Sequence, residues 1–129
     1  MVFDLDGFKV INDEFGHLFG DEVIKQVSKA CSSILREDDI FARFGGDEFV
    51  IIFKGIELKN GEKEAEQILN TVRNLNIYNN GKLIPITISI GVTDNLSCAA
   101  KYFNELFRVA DLRLYKAKNR GRNQVCAVS

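Results

Sequence analysis

The stretch FARFGGDEFVIIF, residues 41 to 53, constrains the fold of this chain more than any other. Two runs of β-branched and aromatic residues flank Gly45-Gly46, a strong hairpin signal, because each glycine takes φ > 0 without a Cβ penalty. That accounts for the glycines but not for Asp47 and Glu48. Two adjacent like charges repel, and nearby apolar surface raises their pKa values. Such a pair calls for a cation.

The rest of the pattern alternates helix and strand. Met1 to Asp6 reads as a strand and Lys9 to Phe15 as a short helix ended by Gly16. From Asp21, a plausible N-cap, Val23, Ile24, Val27, Ala30, Cys31, Ile34 and Leu35 recur at helical spacing. A second long helix covers about Glu62 to Leu75, with acids in its first turn complementing the dipole. Asn79-Asn80-Gly81 is a turn, and Ile86 to Thr93 a central strand. A third helix runs from about Lys101 to Asn119 on Phe103, Leu106, Phe107, Ala110 and Leu114. Gly121 stops it, and Gln124 to Val128 is a last strand. The order β-α-α-β-β-α-β-α-β fits an α+β sandwich with one mixed or antiparallel sheet covered by helices, not a doubly wound parallel sheet.

At 129 residues this is one domain able to hold a real core. With 17 basic and 18 acidic side chains there is no general basic field for nucleic acid or an anionic membrane, so any anion site is local. Cys31, Cys98 and Cys126 are odd in number and lack C-x-x-C spacing, which argues for a reducing, cytoplasmic setting and against zinc. No run approaches a membrane span. The strand at Met1 opens with nothing before it to cover the sheet, as in a fragment of a longer chain.

Asp4 and Asp6 lie two apart at the end of the first strand, so both carboxylates share a face. If the glycine hairpin pairs beside that strand, they approach Asp47 and Glu48 in an oxygen-rich cluster suited to Mg²⁺. Taken singly, each motif reads better as a mere acidic turn, and only the two together argue against that reading. Lys118 and Arg122, four apart, add cations, as does Lys9, although cations at a helix C-terminus also simply complement its dipole. His17, flanked by Gly16 and Gly20, reads as a local hydrogen-bonding residue rather than a general base.

Together DLDGFKVINDEFGHLFGDE, ARFGGDEF, ITISIGV and ADLRLYKAKNRGRN resemble the GGDEF domain of diguanylate cyclases over nearly the whole chain. The resemblance implies a palm-like fold related to nucleotide cyclases, and the joining of two GTP molecules into cyclic di-GMP across an antiparallel homodimer. It implies that Asp4, the Leu5 carbonyl, Asp47 and Glu48 hold Mg²⁺ or Mn²⁺, with Asp47 and Glu48 as the catalytic acids. It further implies that Asn12 and Asp21 bind guanine, that Lys9, Lys118 and Arg122 contact phosphates, and that Gly45 and Gly46 let backbone approach the nucleotide. The carboxylate of Asp21 can accept from N1–H and N2–H, donors that guanine offers and adenine lacks.

Arg36 and Asp39 match the family's R-x-x-D inhibitory product site, although a helix-terminal arginine followed by turn acids is common. Gln67 stands where many relatives have a second arginine for that ligand. The family's N-terminal helix, with its LTGLxNR-type segment, and part of its first strand are absent from these residues. DLDGFK is a wording associated with fusion to an EAL domain, so the resemblance also allows a module that senses GTP or cyclic di-GMP within a larger signalling protein fused to sensory or EAL domains.

Overall fold

The computed structural model describes residues 1–129. Its elements are β1 (Val2–Leu5), α1 (Phe8–Phe15), α2 (His17–Ile34), β2 (Ile40–Gly45), β3 (Glu48–Ile52), α3 (Leu58–Arg73), β4 (Tyr78–Asn79), β5 (Lys82–Leu83), β6 (Ile88–Gly91), α4 (Phe103–Asn119) and β7 (Val125–Cys126). Five strands form one sheet in the order β2-β3-β1-β6-β7. All neighbours are antiparallel except β6 and β7, so the sheet is mixed, as the α+β reading expects. The Asn79-Asn80-Gly81 turn closes a separate two-stranded ribbon, β4 with β5.

Alternation along β1 assigns its residues to two cores. Phe3 and Leu5 join the large cluster under α1, α2 and α3, where the Phe3 ring lies 5.0 Å from Phe49 and 6.5 Å from Phe41 in near-parallel stacks. Val2 faces the other way, with Val50, Ala110 and Leu114 beneath α4. Asp4 follows Val2 onto the α4 face. Each fully buried aromatic or aliphatic side chain stabilises by about 1.5–3 kcal/mol, so both faces are firmly held and the end of β1 is fixed between them.

Helix α4 comes unusually close to the sheet. A Cβ on Gly91 would fall inside the van der Waals envelope of the Ala110 carbonyl and the Leu114 amide. Only a glycine in β6 permits that approach. The N-terminal end of α4 is clamped by Phe103 and Phe107 against Phe44 of β2, with the Phe44 and Phe107 rings stacked at 5.4 Å.

Three local expectations are corrected. Asp21 is not an N-cap: α2 starts at His17, with Gly16 (φ 90°) ending α1 and opening α2. The buried ring of Phe19 holds the extra turn in place despite Gly20. Helix α3 starts four residues early, at Leu58, and has no acid in its first turn. Its leading N–H is capped from a distant loop by Asp94 Oδ2 at 2.8 Å, a tertiary contact that periodicity cannot reveal. Finally, the hairpin turn is Gly46-Asp47 rather than Gly45-Gly46. Gly45 pairs with Glu48 after a register shift, and Gly46 has φ 46°.

Candidate active site

Pairing β3 beside β1 places Glu48 directly opposite Asp4. The turn closes onto the same point, since the Leu5 N–H donates to the Asp47 carbonyl at 3.3 Å. Asp4, Leu5, Asp47 and Glu48 therefore come from distant parts of the sequence to one end of the central strands. Asp4 is only 7 % exposed. Its Oδ2 accepts from the Lys118 ammonium, while Oδ1 is buried without a hydrogen-bond partner.

Electrostatics follow from that geometry. Burial pushes the Asp4 carboxyl up, Lys118 pulls it back, and the charges of Asp47 and Asp111 push it further up. Glu48 is also pushed up, first by partial burial and then by Asp4, Asp111 and Asp47, against the pull of Lys118. The cluster carries more negative charge than one lysine neutralises.

No three carboxylate, imidazole or thiol side chains lie close enough to cage a metal among themselves. Mg²⁺ is ordinarily held by one or two carboxylates completed by water and substrate phosphates, so an all-protein cage is not required. An orphaned, buried carboxylate oxygen beside a second carboxylate and backbone carbonyls is a hard-oxygen donor set that fits such an ion.

Asp6 shares the face of Asp4, as strand alternation expects, since it bonds Ser89, the cross-strand partner of Asp4, but it does not join the cluster. Its Oδ1 accepts from Ser89 Oγ at 2.6 Å, and its Oδ2 from Thr87 Oγ1 at 2.7 Å and from the Asn123 N–H at 3.0 Å. Its N–H continues the β1–β6 ladder to the Thr87 carbonyl at 2.9 Å, and its carboxylate leans across to the β6 side and the segment after α4 rather than toward β3. Asp111, by contrast, was missed. It stands seven residues before Lys118, two helical turns up the same face of α4, and that spacing could have flagged it.

A second group lies on α1 and α2. The Asn12 amide occupies the space a Cβ on Gly20 would need, which brings Asn12 beside the residue preceding Asp21. Asp21 is exposed on α2, as is Lys9 on α1. His17 is the exposed first residue of α2. Arg122 is exposed just beyond α4, and neither it nor Lys9 forms an ion pair. Arg36 and Asp39 bind each other: Asp39 accepts from the Arg36 N–H at 2.8 Å and from its guanidinium at 3.1 Å. The Arg36 side chain remains 55 % exposed. No helix is long and apolar enough to cross a membrane.

Comparison with known proteins gives a consistent picture. The family described as "Diguanylate cyclase, GGDEF domain" matches residues 1–124. The chain is 41 % identical over 127 residues to a probable diguanylate cyclase, DgcT, of Escherichia coli, covering 97 % of this chain and 28 % of that protein. Among solved structures, the active GGEEF domain of a diguanylate cyclase from Vibrio cholerae superposes with a TM-score of 0.85 at 30 % identity, over 99 % of this chain and 81 % of that one. The GGDEF domain of DgcB from Caulobacter crescentus, in complex with c-di-GMP, has a TM-score of 0.85 at 30 % identity, over 98 % and 74 %. The chain spans about a third or less of the length of the first curated relatives it matches.

Proposed function

Because the chain belongs to the diguanylate cyclase GGDEF domain family, we propose that it condenses two GTP molecules into cyclic di-GMP with release of two pyrophosphates. The observation that carries this reading is the Asp4–Glu48 pair, with its orphaned oxygen and its lysine counter-ion. Asp4, Asp47, Glu48 and the Leu5 carbonyl would hold Mg²⁺ or Mn²⁺. A divalent ion there offsets triphosphate charge and polarises the α-phosphorus.

The chain's own groups have separate tasks. Asp21 and Asn12 bind the guanine edge, and a purine lacking its N–H donors leaves that acceptor unpaired. Lys118, Arg122 and Lys9 bind phosphate oxygens, the arginine by its planar fork. Gly46, with no Cβ, lets the hairpin backbone lie against the nucleotide. The raised proton affinity of Glu48 suits it to take the proton of an attacking 3′-hydroxyl as well as to assist the metal.

One chain holds one GTP, so two domains meet face to face and each 3′-hydroxyl attacks the other's α-phosphate. Arg36 and Asp39 form the inhibitory product site, and product binding exchanges part of their mutual pairing for phosphate. The test is incubation of the intact protein with Mg²⁺ and GTP, with products separated by chromatography. Cyclic di-GMP is expected, and Asp47→Ala or Glu48→Ala should abolish it. A dimeric, metal-loaded preparation that yields none would overturn the reading.

A further inference from the structure

The turn that carries Arg122 is held by a residue far away in sequence. Helix α4 ends in a Schellman motif: the Arg122 N–H reaches back to the Ala117 carbonyl at 3.0 Å, around Gly121 at φ 113°. The chain then stays in the left-handed region for two more residues, Arg122 at φ 61° and Asn123 at φ 51°. Asparagine tolerates this conformation through local hydrogen bonds, whereas arginine has no such means. Residues held there persist only when their surroundings over-determine them.

Those surroundings are specific. The Asn123 N–H donates to Asp6 Oδ2 at 3.0 Å, and the Gln124 amide donates to the Arg120 and Arg122 carbonyls at 2.9 and 3.1 Å. From α3, fifty residues earlier, Arg73 closes a fork on Asn123: Nε donates to its Oδ1 at 2.7 Å and Nη2 to its main-chain carbonyl at 2.8 Å. Nη1 of the same guanidinium is steadied by Asn70 Oδ1 at 3.1 Å. Both oxygens and the N–H of Asn123 are thus fixed, while the Arg122 side chain is left exposed.

We infer that Arg73 is a positioning residue that acts through Asn123 to hold Arg122 in its left-handed conformation, aiming the Arg122 guanidinium at the triphosphate of the bound nucleotide. The inference rests on the proposed reading of Arg122 as a phosphate contact. A planar fork is required, because a lysine ammonium cannot span the two Asn123 oxygens in one geometry.

The test is a double-mutant cycle in the intact protein, with KM for GTP and kcat measured separately. Arg73→Gln should raise KM roughly 3- to 10-fold, a coupling of ordinary size for residues in one network, with kcat little changed. Arg73→Lys should behave the same way. Arg122→Ala should raise KM at least as much, and adding Arg73→Gln to it should cost nothing further. The inference falls if Arg73→Gln leaves KM unchanged, if its effect multiplies with that of Arg122→Ala, if Arg73→Lys restores the parent KM, or if kcat falls along with thermal stability. Arg122→Ala with an unchanged KM would instead remove the phosphate role of Arg122 itself, a different result from failure of the Arg73 link.

Discussion

Asp4 and Glu48 stand as Cα partners across the β1–β3 ladder, and both carboxyls are pushed above their ordinary range, each chiefly by burial. A carboxyl whose folded-state value is raised holds its proton more tightly in the folded protein, so ionising it costs folding free energy. That cost is absent below the ordinary carboxylate range of about 4 and grows as pH rises through the raised values. Like charges directly opposite in a ladder destabilise by about 0.2–1 kcal/mol. Glu48→Gln should therefore unfold at a higher temperature than the parent at pH 8, with the gap closing as pH falls toward 4. Thermal melts across that range check it, and a gap that widens in acid would contradict the assignment.

Lys118 is the only cation paired with the buried Asp4. Lys118→Met removes the partner and leaves both carboxylate oxygens without one, which should cost roughly 1–3 kcal/mol in urea unfolding. Because a divalent ion can take over the vacated oxygen, millimolar Mg²⁺ should recover part of that loss. In the double variant Asp4→Asn with Lys118→Met, Mg²⁺ should recover nothing. Equal recovery in the two would show that the ion acts elsewhere.

The hairpin and the two faces of β1 were legible because each depends on a short-range signal, whereas the pairing of β3 beside β1, on which the meeting of the two acidic segments depends, joins residues far apart in sequence. Glycines between apolar runs give a hairpin, and period-2 alternation tells which side of β1 each residue faces. What was not legible depends on packing across the chain. Asp6 shares both parity and face with Asp4 yet serves Ser89, Thr87 and Asn123, because hydroxyls on the β6 side and an N–H after α4 take up its carboxylate, partners that parity does not reveal. Helix α3 begins where Asp94 caps it, and α2 begins where Phe19 finds a core, so local cap signals placed both starts too late. The Arg73 contact joins residues fifty apart and leaves no trace in either local pattern.

Gly91 sets how closely α4 approaches the sheet. In Gly91→Ala the new methyl meets backbone atoms of Ala110 and Leu114, which cannot rotate away as a side chain could. The helix must lift, breaking the contacts of Leu114 and Ala110 with Val2 and Val50 and drawing Lys118 away from Asp4. Overpacking of this kind costs about 3 kcal/mol or more. Urea denaturation should show a loss of that size together with loss of the proposed cyclase activity.

Gly20→Ala poses the same steric problem with the opposite result. Its methyl meets the Asn12 amide, the free end of a side chain, with the Phe8 ring close by at 3.3 Å. Asn12 can swing aside while the backbone stays, and alanine is the better helix former inside α2 by up to about 1 kcal/mol. Stability should therefore hold or rise slightly. If Asn12 is a guanine contact, recognition must suffer, because the amide is displaced from its place against Gly20 and a polar group on the base loses its partner. An unchanged thermal midpoint with KM for GTP raised about tenfold is the expected pattern. A variant with parent-like KM would mean that the Asn12 amide serves the packing of α1 on α2 and not the nucleotide.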